Sequence, residues 1–274
     1  MNIVIFIFVF LFGTIIGSFL NVVIYRFNTG KTIVNGRSIC MTCNRELRWY
    51  ELIPLFSFLI QNGKCRRCAI KISHQYPLVE FLTGLVFVLI AYRFLPILPI
   101  SFGLYLFYLV FFVFIFSLLI VISVYDLRHK IIPDKLVYLF ILLSFISIFI
   151  NSSVATAGAI FILPSLTDLL AGPVLAIPFV ALWYFSSGRL MGLGDGKLIL
   201  GLGWLLGLSA GLFSLVISFW LGTIIGLFLI FLSKKKMNMK TEIPFAPFLI
   251  ISAFITFLLS LNFYSLIKFF SLDL

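Results

Sequence analysis

Before Arg26 the chain offers MNIVIFIFVFLFGTIIGSFLNVVIY, with no charged side chain in it. A run of that kind suits the hydrocarbon of a bilayer, which a helix of about 20 apolar residues can cross. In lipid a backbone has no water to bond, and a helix satisfies its amides and carbonyls within one segment. The pattern recurs. Apolar runs fall near 2–25, 77–95, 100–124, 136–151, 167–185, 198–211, 212–232 and 244–262. With 62% of 274 residues hydrophobic and only 11% charged, no water-soluble fold would bury these side chains. The expected fold class is therefore an all-α polytopic membrane protein of about eight transmembrane helices. GLGWLLGLSAGLFSLVISFWLGTIIGLFLIF has no polar break, so two spans within it require a tight re-entry near Ser209 and Gly211.

The formal net charge of +11 does not point to nucleic acid, because the basic residues are sorted by side. Nine of the twenty Lys and Arg lie between Arg26 and Lys71, three surround Asp126, two flank Asp195 and four lie in SKKKMNMK; only Arg93 and Lys268 fall elsewhere. This is the positive-inside pattern of a membrane protein, with anionic lipid as the counter-charge. It predicts the clusters on the cytoplasmic side and both termini outside. The N-terminal run lacks a basic start, so it reads as a retained helix rather than a cleaved signal. The outer loop 151–166 is rich in small residues and is expected to carry no chemistry. The expected organisation is a first helix at 1–25, a cytoplasmic domain at 26–76 and a membrane core at 77–274.

The domain at 26–76 is too small for a strong core and needs a staple. Cys40 and Cys43 form one C-x-x-C pair and Cys65 and Cys68 a second, with 21 residues between the pairs. Four thiolates so spaced suit a tetrahedral zinc with no open position, a structural site. Two disulfides are the competing reading, but a cytoplasmic loop keeps its thiols reduced. A redox role for one pair would leave the other unexplained.

The chain has only nine acidic residues. Asp168 and Asp134 sit where helices start, and a carboxylate there satisfies free amides. Glu80, one turn into its span, reads as a dipole partner or, preferably, a buried hydrogen-bond post. Asp126 ends its span, where the helix dipole disfavours a carboxylate. A salt bridge to Arg128 or Lys130 would explain it, and so would catalysis. Asp195 stands in GLGDGK, where Gly192 and Gly194 permit positive φ and close approach of another chain. A capped interhelical turn would explain it equally well. Together, two carboxylates on one membrane face can share a proton and activate water.

In order and spacing, GSFLNVVIYR (17–26), the two C-x-x-C pairs, ELIPLFSFL (51–59), ISHQYPLVE (72–80), YDLRHKIIPD (125–134), GLGDGK (192–197) and IPFAPFL (243–249) resemble the prepilin peptidases, or type IV leader peptidases. These are aspartic peptidases of the GxGD type. The resemblance runs over nearly the whole chain. It implies that Asp126 and Asp195 are catalytic, that Gly192 and Gly194 belong to the active-site loop, and that Asp134 is not catalytic. Ala246 stands where the family often has glycine. The resemblance further implies a bacterial inner-membrane enzyme that cuts the short basic leader from pilin or pseudopilin precursors. Many members also methylate the new N-terminus with S-adenosylmethionine, although no Gly-rich methyltransferase fingerprint is present. Basic leaders would need acidic receivers, for which Glu46, Glu51 and Glu242 are the candidates. The alternative class is a transporter or scaffold whose acids relay protons; it would place them deep in mid-span.

Overall fold

The computed structural model describes residues 2–30, 32–34, 36–150, 163–232 and 244–264. Most of the loop 151–166, expected on the outer side, the cluster from Lys234 to Lys240, Glu242, Lys268 and Asp273 lie outside the described residues. Among those described there are helices and two isolated β-bridges but no strand. The helices are α1 (Asn2–Arg26), α2 (Phe56–Ile60), α3 (Gln75–Phe94), α4 (Phe102–His129), α5 (Asp134–Ser147), α6 (Leu166–Ser186), α7 (Leu193–Leu206), α8 (Leu208–Leu232) and α9 (Ala246–Leu259). Every apolar run of the sequence overlaps one of them. Among the described residues, five segments are long and apolar enough to cross a membrane: Ile3–Arg26, Gln75–Ile97, Phe102–His129, Leu166–Ser186 and Leu208–Leu229. The chain is a multi-pass membrane protein. Helices α5, α7 and α9 have 14 residues each and fall short of that length.

The chain divides into two compact units, Met1–Val121 and Ile122–Leu274. In the first, α1 packs antiparallel against α3. Contact is close because Gly13 and Gly17 present no side chain: a Cβ on either would lie 2.7 Å from the backbone of Gly84 or Glu80. Small residues four apart are a common means of bringing membrane helices together, since lipid supplies no hydrophobic drive between them. Asn21 Nδ2 donates to the Tyr76 carbonyl at 3.1 Å, and the rings of Tyr25 and Tyr76 stack 5.0 Å apart. Glu80 is the buried post its position suggested, accepting the Leu55 amide at 2.8 Å.

In the second unit α7 is the central element, touching α5, α6, α8 and α9. Gly203 allows this: a Cβ there would lie 2.7 Å from the Gly172 Cα of α6. Trp204 closes the same contact, its Nε1 donating to the Leu169 carbonyl at 2.9 Å. The break between α7 and α8 falls at Gly207, slightly before the Ser209–Gly211 stretch expected for it. Gly207 is the residue at φ 81°, ψ 171°, and Ser209 and Gly211 are helical. Because the obstacle at Gly203 is backbone, Gly203→Val should cost about 1–3 kcal/mol, the range for overpacking a tight contact. A thermal unfolding scan of the purified protein in detergent checks this, with Gly103→Val as a control at a position with open space around it.

Candidate active site and metal centre

The four cysteines lie on two loops built alike. The Cys40 amide donates to Arg45 O and its carbonyl accepts from the Asn44 amide, both at 2.9 Å. Cys65 repeats this with Ile70 and Ala69, also at 2.9 Å. Asn44 and Ala69 turn the corners at φ 51° and 55°. Each loop then aims two amides at its first sulfur. Amides of Cys68 and Arg67 hold the Cys65 thiol down to about 6, and those of Cys43 and Thr42 hold Cys40 below the usual thiol range. All four Sγ atoms lie within 4.8 Å of one another, and Cys40 and Cys68 are 3.8 Å apart. Four sulfurs at zinc–thiolate distance around one tetrahedral ion would be separated by about 3.8 Å. The cysteines are free thiols rather than disulfides, and the cluster can hold a metal ion.

Arg45 and Glu51 form a buried ion pair at 2.6 Å beside this centre. Burial alone would push the Glu51 carboxyl up. The Arg48 amide at 2.9 Å and the Arg45 guanidinium outweigh it and hold the group below the usual carboxylate range. Glu51 is therefore already paired inside the loop and is not open to a basic leader, contrary to the expectation from sequence. Glu46 pairs with Arg37 at 2.6 Å, but both side chains are largely exposed and the pair is free to open.

Asp126 occupies the last full turn of α4 and is 4% exposed, whereas Arg128 and Lys130 face outward. Its carboxylate accepts from the backbone amide of Ala246, the first residue of α9. Helix starts carry unpaired amides and the positive end of the dipole. The cost of an acid at the end of α4 is thus offset by the beginning of α9. The other oxygen, Asp126 Oδ2, is buried without a hydrogen-bond partner among the described residues.

Asp195 lies in the first turn of α7, half-buried, its carboxylate accepting from the Gly192 amide. That is half of a capping box, with the acid where the dipole favours it. Gly192 sits at φ −74°, and neither it nor Gly194 has positive φ, so conformational freedom is not their contribution here. Close approach is the reason at Gly194, where a Cβ would lie 2.9 Å from Ile132 Cβ. A Cβ at Gly192 would stand 3.5 Å from Asp195 Oδ2.

The structure brings Asp126 and Asp195 into one unit, near enough for the charge of one to act on the other. It keeps Asp134 out of the pair. Asp134 begins α5 and binds Lys197 Nζ at 2.7 Å, tying the α5 start to the α7 turn that carries Asp195. Sequence reasoning missed the Ala246 amide and the Lys197 tether. The first left no side-chain signal, although Pro247 just after it marks a helix beginning.

Residues 11–94 match the bacterial peptidase A24 N-terminal domain, and residues 113–227 match the type IV leader peptidase family. The chain is 32% identical over 213 residues to a prepilin leader peptidase/N-methyltransferase of Klebsiella pneumoniae, covering 72% of this chain and 82% of that one. A protein of the same description from Dichelobacter nodosus is 30% identical over 285 aligned residues, 92% of this chain and 90% of its own. One from Myxococcus xanthus reaches 52% over 81 residues, which is 30% of this chain and 24% of that protein. No solved structure matches the chain significantly. Two domain matches in series, and relatives aligned over most of their length, agree with the paired acids and the four-cysteine loop: the chain belongs to the type IV leader peptidase family.

Proposed function

We propose that the chain is a two-aspartate peptidase of the bacterial cytoplasmic membrane, cutting the short basic leader from type IV prepilins and pseudopilins. The observation that carries this reading is the meeting of Asp126 and Asp195, from separate helices, within each other's electrostatic reach. In its support, the similar proteins named above are described as prepilin leader peptidases. The loop 26–76 and the paired acids face the cytoplasm, both termini lie outside, and 77–274 forms the peptidase core. The precursor's leader stays on the cytoplasmic side with them, while its apolar helix enters the bilayer.

The reaction is hydrolysis. One aspartate, ionised, takes a proton from water as the water attacks the scissile carbonyl. The other, protonated, donates to the carbonyl oxygen and later helps protonate the leaving amine. Two like charges so close resist joint ionisation, so the pair works with one proton between them. The Ala246 and Gly192 amides fix the rotamers of Asp126 and Asp195. Asp126 Oδ2, buried and without a partner among the described residues, is the acceptor assigned to that water. Gly192 and Gly194 keep side chains away from Asp195, where an extended substrate backbone must pass.

Cys40, Cys43, Cys65 and Cys68 would hold zinc. With all four ligands from the protein, the ion would supply a crosslink rather than chemistry. Methylation of the new N-terminus from S-adenosylmethionine is proposed from the relatives' description alone. The described residues contain no strand and so no doubly wound methyl-donor domain.

Incubating the reconstituted protein with a pilin precursor and weighing the products intact tests both activities. Loss of the leader is the expected result, with one added methyl group when S-adenosylmethionine is present. An unshortened precursor overturns the peptidase, and a shortened product with no added methyl overturns the methyltransferase alone.

A further inference from the structure

The most strained backbone among the described residues of the first unit lies in the cysteine loop. Leu55 adopts φ 60°, ψ −54°, and the Phe56 amide folds back on the Pro54 carbonyl at 2.6 Å. This is a γ-turn with positive φ at a bulky residue, a rare and costly form that persists only where its surroundings impose it. Glu80 imposes it, by accepting the Leu55 amide at 2.8 Å. The Ser18 side chain bonds the same carboxylate. Ser18 belongs to α1 and Glu80 to α3, so the corner is fastened to two membrane-crossing helices.

The fastening sets a depth. Tyr25 and Tyr76 stack at the end of α1 and the start of α3, and tyrosines so placed mark the headgroup level. Glu80 lies one turn further along α3, about 6 Å by helical rise. Leu55 therefore reaches to or below the tyrosine level, and α2 leaves from that point. Phe56, Leu59 and Ile60 share one face of α2, at spacings of three and four. They are 56%, 68% and 69% exposed, and Leu52 and Ile53 just before them are exposed as well. The other side of α2 turns inward: Phe58 lies edge-on to His74 at 5.6 Å and fills the space beside Gly63. The apolar face is the outward one, the reverse of a helix bathed in water. Exposed Lys64, Arg66 and Arg67 follow in the next turn of chain, with the charge that anionic headgroups attract.

We infer that α2 and the Leu52–Ile53 turn form an interfacial foot, set into the anionic bilayer surface, that holds the four-cysteine loop at a fixed height. A lipid surface is the occupant that explains the depth, the outward apolar face and the neighbouring basic residues together. Glu80 is then a positioning residue: it spends a buried carboxylate on keeping one strained corner at membrane level.

The test uses the full chain in phosphatidylglycerol-containing nanodiscs, with and without brominated acyl chains. Phe56→Trp and Leu59→Trp each place a reporter on the exposed face, read as emission added over the protein with its own tryptophans. Brominated lipid should quench the added emission by about twofold or more, and aqueous acrylamide should reach it poorly. Two reporters keep the result independent of either substitution. Added emission that acrylamide quenches freely and bromine leaves unchanged overturns the foot. So does shielding that appears only at high protein concentration, which assigns the face to a second copy, or only with precursor present, which assigns it to the substrate.

Discussion

Asp126→Asn and Asp195→Asn each abolish leader cleavage, lowering the rate by about a thousandfold or more, while the protein still inserts and folds. The expectation rests on what asparagine keeps. Its side-chain oxygen still accepts from the Ala246 or Gly192 amide, and its volume is nearly unchanged. Only the capacity to take or give a proton is lost, and a positioned acid or base contributes roughly 10²–10⁴ in rate. Asp134→Asn is the internal comparison. It breaks a partly exposed ion pair with Lys197, worth about 1 kcal/mol or less. Cleavage should stay within a few-fold of the parent protein. Single-turnover cleavage of a pilin precursor by the three variants reads the difference. Turnover surviving in both asparagine variants would return the acids to a structural or proton-relay role.

The second large effect concerns the cysteine loop. Cys65→Ser should lower bound zinc from about one ion per chain to less than about a tenth, because a structural zinc owes its affinity to the full set of thiolates. Metal binding and folding of a loop this small are one equilibrium, and structural zinc supplies about 10–16 kcal/mol in isolated domains. Without it, protease should cut at Arg66 and Arg67, while the helical signal of the membrane core persists. Zinc quantification beside limited proteolysis checks both halves. A loop that resists protease after its metal is gone would mean that Arg45–Glu51 and the Glu80 fastening hold it unaided.

How much of this was legible beforehand depended on which atoms do the work. Long apolar runs announced helices because lipid permits little else, and Glu80 announced itself by standing one turn inside such a run. The cysteine spacing led to the cluster because two C-x-x-C loops bring their sulfurs together with little choice of path. Asp126 was legible only as an anomaly, an acid at the wrong end of a dipole. Its resolution was hidden, since the Ala246 amide comes from about 120 residues away and any residue but proline has such an amide. The foot was hidden for another reason. ELIPLFSFL is too short to stand out as an apolar run, and it lies inside a segment read as polar. Its outward face follows from the turn at Leu55, which no local propensity favours. Glu51 misled for a related reason: sequence showed a charge, not the Arg45 that neutralises it.

Three neighbouring helices, α5, α7 and α9, have 14 residues each, about 21 Å of rise. The oil layer around them is about 30 Å thick. Lipid meets the exposed faces of α5 and α9, and thinning of the bilayer there is one way to meet a mismatch that costs fractions of a kcal/mol per ångström. Helices α7 and α9 begin at or next to Asp195 and the Ala246 amide of the acid site, and α5 begins at Asp134, tied to α7 through Lys197. Thinning there would bring bulk solvent nearer to Asp126 and Asp195, without a pore through the protein.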